Sequence, residues 1–568
     1  MKPDDMNWHS DIEPKLILKT ESDIIWSSTA DVIIVGLGGA GVAAALESIE
    51  TGNSVLAIDK YETGGATKAS GGVIYAGGGT SLQVEAGVKD TVENMFNYLK
   101  LETRDIVSDQ TLKDFCNKSA PTVDWLIDHG VDLRSTLWKY KTSYPAPKYF
   151  LYHSDNSLIK NYKKNAFPAA RGHRGYVPEK QGAKATNLGG SLFDPLKASA
   201  IKKGLIIHDF TEVRQLITNK KNEVIGLKAY QFNNKIELQE YKKLRNKALK
   251  LLALFPPIVP GSKYFFKKAM SLMEKANDLL NKRKEIYIRS NKGIILSAGG
   301  FVFNRKMVEY YAPKYSEGYP LGTEGDNGSG IRLGQSVGGI AKNMDRMTAW
   351  RFINPPISFA KGMIINTDGK RFINEMVYGA TLGVEMTEHH NGSAWMILDK
   401  KLVKKSLNDV SKKKALAFQR ALAKLNIYFG SKKANSVASL AKLIGINADN
   451  LLKEIIEYNK IAKGETIDPF GKTKNETAEL SLDNIVAIDI SLNAKLFPCP
   501  TLSLGGLSVN EKTGSVLNEE SLPIKGLYAA GRNAVGVASW CYVSGLSIAD
   551  CIYSGRRAAT SINCKSES

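Results

Sequence analysis

Short runs of consecutive apolar residues alternate with stretches of helical periodicity along this chain. The runs at 31–35 (DVIIV) and 54–59 (SVLAID) have the length and branched side chains of buried parallel strands, with a small-residue helix between them. Residues 205–230 alternate as strands do, and GIILSAGG at 293–300 is another buried strand that ends in glycine. The pattern predicts an α/β fold built on a parallel sheet.

A glycine-rich turn follows the first of these strands and opens the next helix. It reads Gly36-Leu-Gly38-Gly39-Ala40-Gly41, and Asp59 ends the second strand 23 residues after Gly36. In a dinucleotide-binding turn the first glycine allows the tight bend, the second lets backbone N–H groups approach a pyrophosphate, and the last lets the helix pack close to the sheet. Asp59 is placed to accept from ribose hydroxyls. A chance glycine turn is the alternative, and the register of strand, helix and acid argues against it.

Three further glycine-rich segments favour FAD over NAD. GGATKASGG at 64–72 directly follows Asp59, AGG at 298–300 ends a strand, and GLYAAGR lies at 526–532. A flavin's long chain requires small residues and backbone donors along its path, although the first segment alone could be a flexible surface loop. With no His or Cys placed for covalent linkage, we expect noncovalent FAD. The candidate cofactor-binding residues are Gly36, Gly38, Gly39, Ala40, Gly41, Asp59, Lys60, Gly65, Ala66, Thr67, Ser70, Gly71, Gly72, Val213, Ala298, Gly299, Asp326, Gly531, Arg532, Gly545, Leu546 and Ser547.

The same segments define a predicted domain organisation. Residues 346–497 differ in residue pattern from the rest of the chain, with long Lys-rich helical stretches at 400–463. We therefore expect a Rossmann-like FAD-binding domain with an inserted α+β substrate (capping) domain and a basic helical hairpin. The predicted boundaries are 1–29 for a polar N-terminal arm, 30–339 and 498–562 for the two parts of the FAD-binding domain, 235–284 for the basic insert, and 340–497 for the capping domain.

Seven motifs occur in an order that resembles one flavoprotein family. They are GLGGAG at 36–41, GGATKASGG at 64–72, ILSAGGF at 295–301, TEGDNGSG at 323–330, GKRFINE at 369–375, TLSLGGL at 501–507 and GLYAAGR at 526–532. In this respect the chain is similar to the soluble fumarate reductases and 3-ketosteroid dehydrogenases, and the similarity extends over most of residues 30–562. The resemblance implies an FAD-dependent oxidoreductase that acts on CH–CH groups.

Within this family, the sequence near the C-terminus separates the branches. Fumarate reductases carry a His and Arg set around GGxHGxxR there, whereas residues 531–547 of this chain contain no His, which argues against dicarboxylate chemistry. The pattern Tyr542-x-Ser544-Gly545 resembles the Δ4-(5α)-dehydrogenase branch, and the Pro/Gly-rich stretch of the Δ1 branch is missing. Residues 371–380 also resemble the Δ4 branch, which matches Tyr378 to an active-site tyrosine.

Tyr542, Ser544 and Tyr378 are the predicted catalytic residues. Removal of two vicinal hydrogens beside a ketone requires a hydride acceptor, a base for the proton, and a donor that polarises the carbonyl. A phenol suits the acid/base role in an apolar pocket, and a Ser–Tyr chain can relay the proton. The alternatives are that Tyr542 only packs over the flavin, that Ser544 is the N-cap of the next helix, and that Tyr378 is core packing. Asp326 either organises a loop near the cofactor or belongs to a plain turn.

The preferred function is FAD-dependent 3-oxo-5α-steroid Δ4-dehydrogenation or the reverse reduction, with hydride transfer between steroid C5 and flavin N5 and proton transfer at C4. Three alternatives stay open at this point. They are 3-ketosteroid Δ1-dehydrogenation, reduction of a fumarate- or urocanate-like enoate, and a non-catalytic flavin-loaded protein on a membrane surface. The expected substrate is a steroid 3-ketone, and the electron acceptor or donor is not identified by the sequence.

Half of the excess positive charge lies in one segment. The chain has a net charge of +20, and residues 242–284 contain twelve Lys or Arg against Glu274 and Asp278. Apolar and aromatic residues lie between these cations: Leu249, Leu251, Leu252, Leu254, Phe255, Ile258, Val259, Tyr264, Phe265 and Phe266. Together they are typical of a peripheral anchor on an anionic membrane surface. A hairpin packed on its own domain or on a sister subunit is the alternative. Binding to nucleic acid is disfavoured, because no nucleic-acid recognition motif accompanies the charge.

The remaining composition indicates where such a protein works. Five cysteines without any CxxC spacing fit a reducing cytoplasm rather than a disulfide framework. The N-terminal residues lack the features of a signal peptide, no apolar stretch is long enough to span a membrane, and no metal-ligand spacing occurs. We therefore expect a cytoplasmic protein without a bound metal, attached peripherally to the inner face of the membrane.

Overall fold

The computed structural model describes residues 12–178, 188–254, 262–411 and 414–563, and these form the mixed α/β fold that the apolar runs predict. The strands are β1 (Leu16–Ile17), β2 (Ser28–Val35), β3 (Val55–Ile58), β4 (Val73–Tyr75), β5 (Leu137–Trp138), β6 (Leu151–Tyr152), β7 (Gly172–Arg174), β8 (Ile206–His208), β9 (Glu212–Thr218), β10 (Val224–Gln231), β11 (Lys284–Leu296), β12 (Tyr319–Pro320), β13 (Ala341–Lys342), β14 (Met347–Ala349), β15 (Met363–Ile365), β16 (Trp395–Asp399), β17 (Ser431–Ala434), β18 (Ile485–Asp489), β19 (Pro500–Ser503), β20 (Gly506–Leu507), β21 (Ser515–Leu517) and β22 (Pro523–Ala529).

The helices follow the regions of helical periodicity. They are α1 (Gly39–Glu50), α2 (Gly65–Ala69), α3 (Ser81–Glu85), α4 (Val92–Thr103), α5 (Asp109–Asp128), α6 (Gly190–Lys202), α7 (Lys235–Leu254), α8 (Ser262–Leu280), α9 (Arg305–Tyr311), α10 (Ser329–Ser336), α11 (Ile357–Ala360), α12 (Gly379–His389), α13 (Lys400–Asp409), α14 (Ala417–Leu425), α15 (Val437–Ile444), α16 (Ala448–Lys463) and α17 (Leu546–Asn563). The Lys-rich stretch at 400–463 includes the helices α13 to α16.

The main sheet has nine strands in the order β1-β9-β10-β11-β2-β3-β8, with β22 beside β11 and β21 beside β22. Strand β2 pairs parallel to both β3 and β11, and β11 also pairs parallel to β22. Strands β9 and β10 form an antiparallel extension on β11. The carboxyl ends of β2, β3, β11 and β22 therefore meet at one edge, where a doubly wound sheet binds its ligands.

Helix α1 is buried almost all round because it lies between the sheet and α17. Its sequence GAGVAAALESIE is rich in small residues, and Gly39 to Leu46 are buried. A Cβ on Gly555 of α17 would lie 2.3 Å from the Ala40 carbonyl oxygen. The close approach of the two helices therefore depends on glycine at that position.

A second, antiparallel sheet, β15-β16-β18-β17, is formed within residues 340–497. Beside it Arg371 donates to Glu375 at 2.8 Å, and Lys472 Nζ lies 2.9 Å from Glu375. Arg371 also donates to Asp468, and all four side chains are nearly inaccessible to solvent. Buried charges of this kind require such mutual pairing, so the cluster ties the middle of this region to its C-terminal loops.

The basic insert forms a helical hairpin of α7 and α8. The two helices pack on each other, and Tyr241, Ala276 and Leu279 join Phe210 and Phe232 in a small apolar cluster. Of the apolar residues predicted at its tip, Phe255, Ile258 and Val259 lie outside the described residues. In the described part of the chain, no helix has both the length and the apolar character needed to cross a bilayer.

Candidate active site

A cavity of about 800 Å³ opens at the carboxyl edge of the main sheet. Its walls come from the glycine-rich turn after β2, the segment after β3, the ends of β9 and β11, and the N-terminal turn of α17. Of the predicted cofactor-binding residues, Gly41, Gly72 and Leu546 do not line it. Those that do are Gly36, Gly38, Gly39, Ala40, Asp59, Lys60, Gly65, Ala66, Thr67, Ser70, Gly71, Val213, Ala298, Gly299, Asp326, Gly531, Arg532, Gly545 and Ser547.

The glycines of the turn after β2 have different surroundings. Gly36 has φ +94°, and a Cβ there would lie 2.6 Å from the Ala298 Cα. A Cβ on Gly41 would lie 2.2 Å from the Gly36 carbonyl oxygen, so this glycine lets α1 pack against the turn. A Cβ on Gly38 would meet only the Gly64 carbonyl oxygen, at 3.9 Å. Gly38 thus leaves open space in the cavity for a ligand to approach the backbone.

Asp59 is anchored to the backbone at the edge of the cavity. The N–H groups of Leu37 and Tyr61 donate to its carboxylate at 2.9 and 3.0 Å, and burial raises the pKa of Asp59 to about 6. Next to it, Lys60 Nζ lies 2.6 Å from Glu212. Burial acts to raise the pKa of Glu212, but Lys60 and two arginines hold it at about 2. The acid expected at the ribose is therefore fixed in place.

Asp326 joins three segments of the cavity wall. Its carboxylate accepts from the N–H groups of Gly300 at 3.1 Å and Thr323 at 3.0 Å, and from the Arg532 guanidinium at 2.7 Å. The side chain of Asp326 is 3% exposed. Its contacts are those of a residue that organises the loops around the cavity, which is one of the two roles considered for it from the sequence.

Aromatic side chains form another part of the cavity wall. Tyr542 and Trp350 both line the cavity, and their ring centroids are 6.4 Å apart. Tyr378 lies behind Tyr542, with 6.2 Å between ring centroids, and is 2% exposed. The structure thus brings Tyr542, Ser544 and Tyr378 together, although Tyr378 itself does not line the cavity.

Ser544 occupies a position suited to a hydroxyl relay. Its Oγ lies 3.4 Å from the hydroxyl of Tyr152, and the Ser154 hydroxyl donates to its carbonyl oxygen at 3.3 Å. Helix α17 begins at Leu546, so the N-cap position falls on Gly545 rather than on Ser544. The arrangement of Ser544 therefore differs from that of the helix cap considered from the sequence.

Burial keeps the phenols of this site protonated at neutral pH. It raises the pKa of Tyr542 above its usual range, with Arg532 acting in the opposite direction. It raises the pKa of Tyr378 much further, with Tyr542 and Tyr152 adding to the effect and Ser544 opposing it. Among the described residues the Tyr378 hydroxyl has no hydrogen-bond partner of good geometry. These phenols are therefore hydrogen-bond donors in their resting state.

The cavity fits FAD. It offers open space at Gly38, backbone groups along the glycine-rich segments, a fixed carboxylate at Asp59, and the N-terminal turn of α17 at Gly545, which has φ +85°. A helix N-terminus favours the negative charge that a flavin or its phosphates carry. Gly36, Gly38, Asp59, Arg532 and Gly545 would hold the cofactor.

Several residues of this site were missed in the sequence. Tyr144, Tyr152, Trp350 and Phe418 line the cavity or contact the predicted residues, and none of them belongs to a recognisable motif. Tyr152 approaches Ser544 across 392 residues of chain. No local signal identifies such a pair, because only the packing of β6 against the loop before α17 brings them together.

Comparisons with known proteins identify the family of the chain. A model of the FAD binding domain matches residues 31–548. The chain is 35% identical over 514 residues to a 3-oxo-5-alpha-steroid 4-dehydrogenase of Comamonas testosteroni, covering 90% of this chain and 93% of that protein. It is 23% identical to a probable fumarate reductase of Shewanella frigidimarina, covering 93% and 74%.

A solved structure is similar as a whole. The 3-ketosteroid-delta4-(5alpha)-dehydrogenase of Rhodococcus jostii RHA1, solved with 4-androstene-3,17-dione, has a TM-score of 0.79 and 26% identity. The match covers 97% of this chain and 99% of that one. The chain is therefore an FAD-dependent oxidoreductase of the flavoprotein family that contains the 3-ketosteroid dehydrogenases and the fumarate reductases, and it resembles the Δ4-(5α)-dehydrogenase branch.

Proposed function

We propose that this chain is a 3-oxo-5α-steroid Δ4-dehydrogenase, or catalyses the reverse reduction, with Tyr542 as the acid/base or carbonyl-donating residue. The observation that carries the proposal is the grouping of Tyr542, Ser544 and Tyr378 beside Trp350 at the FAD cavity. The relative with 35% identity is a 3-oxo-5-alpha-steroid 4-dehydrogenase, and the similar solved structure holds a steroid 3-ketone. A planar apolar substrate suits a wall that carries the Tyr542 and Trp350 rings.

The protein's own residues supply the proton chemistry. FAD, when bound, accepts or supplies the hydride at steroid C5. The protonated hydroxyl of Tyr542 can donate to the 3-keto oxygen as the enolate develops, or exchange a proton at C4. Ser544, 3.4 Å from the Tyr152 hydroxyl, offers a path for a proton away from the site.

Anaerobic titration of the yellow protein with a saturated 5α-3-ketosteroid tests the proposal. Bleaching of the flavin absorbance with formation of a Δ4 product is the expected result, and product analysis separates Δ4 from Δ1 dehydrogenation. Reoxidation of the chemically reduced flavin by fumarate-type acids, without bleaching of the oxidised flavin by any steroid, would favour an enoate enzyme, and no response to any steroid or enoate would favour a non-catalytic flavoprotein.

A matched pair of variants assigns the role of Tyr542. We expect Tyr542→Phe to lose about 10²- to 10⁴-fold in turnover while FAD stays bound, because only the hydroxyl is removed. Tyr428 is 58% exposed in the region of residues 340–497, so Tyr428→Phe is the control. Turnover of Tyr542→Phe within about threefold of the parent would reduce Tyr542 to a packing residue.

We also propose that the hairpin of α7 and α8 attaches the protein to the inner, anionic face of the cytoplasmic membrane. Lys243, Lys247, Lys250, Lys267 and Lys268 are exposed on its two helices. Three large apolar residues of α8 are exposed beside them, namely Tyr264 at 66%, Phe266 at 56% and Met270 at 42%. Each cation contributes about 1 kcal/mol of attraction near an anionic surface, and exposed apolar groups add insertion into the headgroup region. A membrane position would also suit a poorly water-soluble steroid.

Vesicle co-sedimentation tests the attachment. We expect binding to vesicles that contain anionic lipid, weakening as salt rises because the attraction is screened over about a Debye length. The triple variant Tyr264→Ser, Phe266→Ser and Met270→Ser should lose most binding while its flavin spectrum is unchanged. Equal sedimentation of parent and triple variant, or none by the parent, would make the hairpin a packing element only.

A further inference from the structure

We propose that the hairpin of α7 and α8 has a second role: it closes the adenosine side of the cofactor cavity, with Arg245 as the residue that holds it shut. Arg245 lies in α7 and lines the cavity. Its guanidinium donates to Glu324 at 2.9 Å, and its Cζ lies 4.6 Å from the centre of the Tyr61 ring. One side chain of the insert thus contacts two separate walls of the cavity.

The position of Tyr61 identifies which part of the cavity Arg245 covers. Tyr61 follows Asp59 by two residues, and its N–H donates to the Asp59 carboxylate at 3.0 Å. An acid at the end of the second strand of a dinucleotide fold lies at the adenosine ribose. Because Tyr61, Glu324 and Arg245 all line the cavity, the Arg245 contacts close the wall on that adenosine side.

The other end of the hairpin is fixed to the same region. Arg283, which follows α8, donates to Glu212 at 2.8 Å, and these side chains are only 3% and 8% exposed. Glu212 also accepts from Lys60, the residue after Asp59, at 2.6 Å. Since ion pairs join both α7 and the segment after α8 to cavity-lining residues, the hairpin cannot lift away without breaking these pairs, and loss of Arg283 would leave the buried Glu212 with one partner fewer.

Arg245 keeps donor capacity for a ligand. The guanidinium has five N–H groups, its side chain is 15% exposed, and among the described residues the buried Nε has no hydrogen-bond partner. An arginine held at the phosphate or adenosine part of a nucleotide is well suited to donate to its oxygen or nitrogen acceptors. The ligand class for this residue is the adenosine diphosphate half of FAD.

The test measures FAD release from the holoprotein. Arg245→Met keeps an unbranched apolar stem and removes the charge, and Lys235→Met, at an exposed position of the same helix, is the matched control. The recovery of flavin fluorescence after dilution gives the release rate. We expect release from Arg245→Met to be about tenfold faster than from the parent, since truncating one partner of a partly buried charge pair at the cavity raises the dissociation rate. Lys235→Met should match the parent.

A competition arm shows which half of FAD is affected. ADP or FMN is added in excess during dilution to block rebinding of released FAD. We expect Arg245→Met to require about tenfold more ADP than the parent for half-maximal blocking, with the same FMN concentration for both. Parent-like release, or equal loss of ADP and FMN blocking, would overturn the proposal. Glu324→Gln provides an independent arm if Arg245→Met does not fold, and parent-like release from Glu324→Gln would equally overturn it.

Discussion

Replacement of Asp326 by Asn isolates the contribution of one carboxylate to cofactor binding. The Asp326 carboxylate accepts two backbone N–H groups and the Arg532 guanidinium at 2.7 to 3.1 Å. Asn has nearly the same shape but offers only one acceptor oxygen. Its amide NH₂ would therefore face either the Thr323 N–H or the two donors on the other oxygen, the Gly300 N–H and the Arg532 guanidinium, and a donor would meet a donor. Hydrogen bonds to charged groups contribute about 1.5–3 kcal/mol each, and breaking a buried ion pair costs about 3–5 kcal/mol.

We take about 3 kcal/mol as the net cost of Asp326→Asn. The loops that Asp326 connects line the cavity at Gly299, Gly322, Thr323 and Arg532, so this cost falls on FAD binding. At 1.4 kcal/mol for each tenfold change, FAD affinity should fall by about 100-fold. Equilibrium dialysis of the holoprotein against dilute FAD measures the dissociation constant directly.

Asp194→Asn is the matched control for this measurement. Asp194 lines the same cavity, but its side chain is 54% exposed and pairs with the exposed Lys68 at 3.0 Å. Exposed pairs contribute about 0–1 kcal/mol, so this variant should bind FAD within about threefold of the parent. If Asp326→Asn also binds FAD within threefold of the parent, the carboxylate does not organise the cavity and the reasoning is wrong.

Three further predictions follow from the site and its surroundings. Gly38→Glu should give colourless protein, because a carboxylate would enter the space left for the pyrophosphate. Acid precipitation of the parent should release yellow FAD into solution, whereas a yellow pellet would indicate a covalent bond between FAD and the protein. If Tyr542 is the base, its raised pKa means that dehydrogenation should accelerate with rising pH without a plateau below about pH 9. A plateau near neutrality would assign the base elsewhere and leave Tyr542 the carbonyl-donating role. Burial lowers the pKa of Lys141 to about 7, below its unfolded value, so this residue makes stability rise with pH between about 7 and 10. Lys141→Met should flatten that rise in thermal melts, and an unchanged slope would show that Lys141 is solvated.

The sequence predicts local parts of this molecule well. The strands at 31–35 and 54–59, the turn between Gly36 and Gly41 and the acid at Asp59 form one continuous βαβ unit, whose spacing is fixed by the geometry of strand and helix. The sequence also predicts the helical hairpin of the basic insert, which the structure forms as α7 and α8. Each of these depends on residues that are close in the chain.

Contacts between distant segments are not predictable in the same way. The Tyr152–Ser544 contact and the Arg245–Glu324 ion pair join residues 392 and 79 positions apart. Ser544 and Glu324 lie within motifs, but no sequence signal pairs them with Tyr152 and Arg245, because each contact is fixed by how whole elements pack. For the same reason, the charged and apolar residues of the basic insert predict a surface role, but its attachment through Arg245 and Arg283 is seen only in the structure.

The packing of α17 against α1 has a consequence for the order in which the site is completed during synthesis. The glycine-rich turn and α1 emerge early from the ribosome, but Tyr542, Ser544 and the N-terminal turn of α17 emerge almost 500 residues later. Until then α1 lacks the helix that covers one side of it, at the Ala40–Gly555 contact. The nascent chain therefore holds the first half of a dinucleotide site that it cannot close, and complete cofactor binding must wait until α17 has been synthesised.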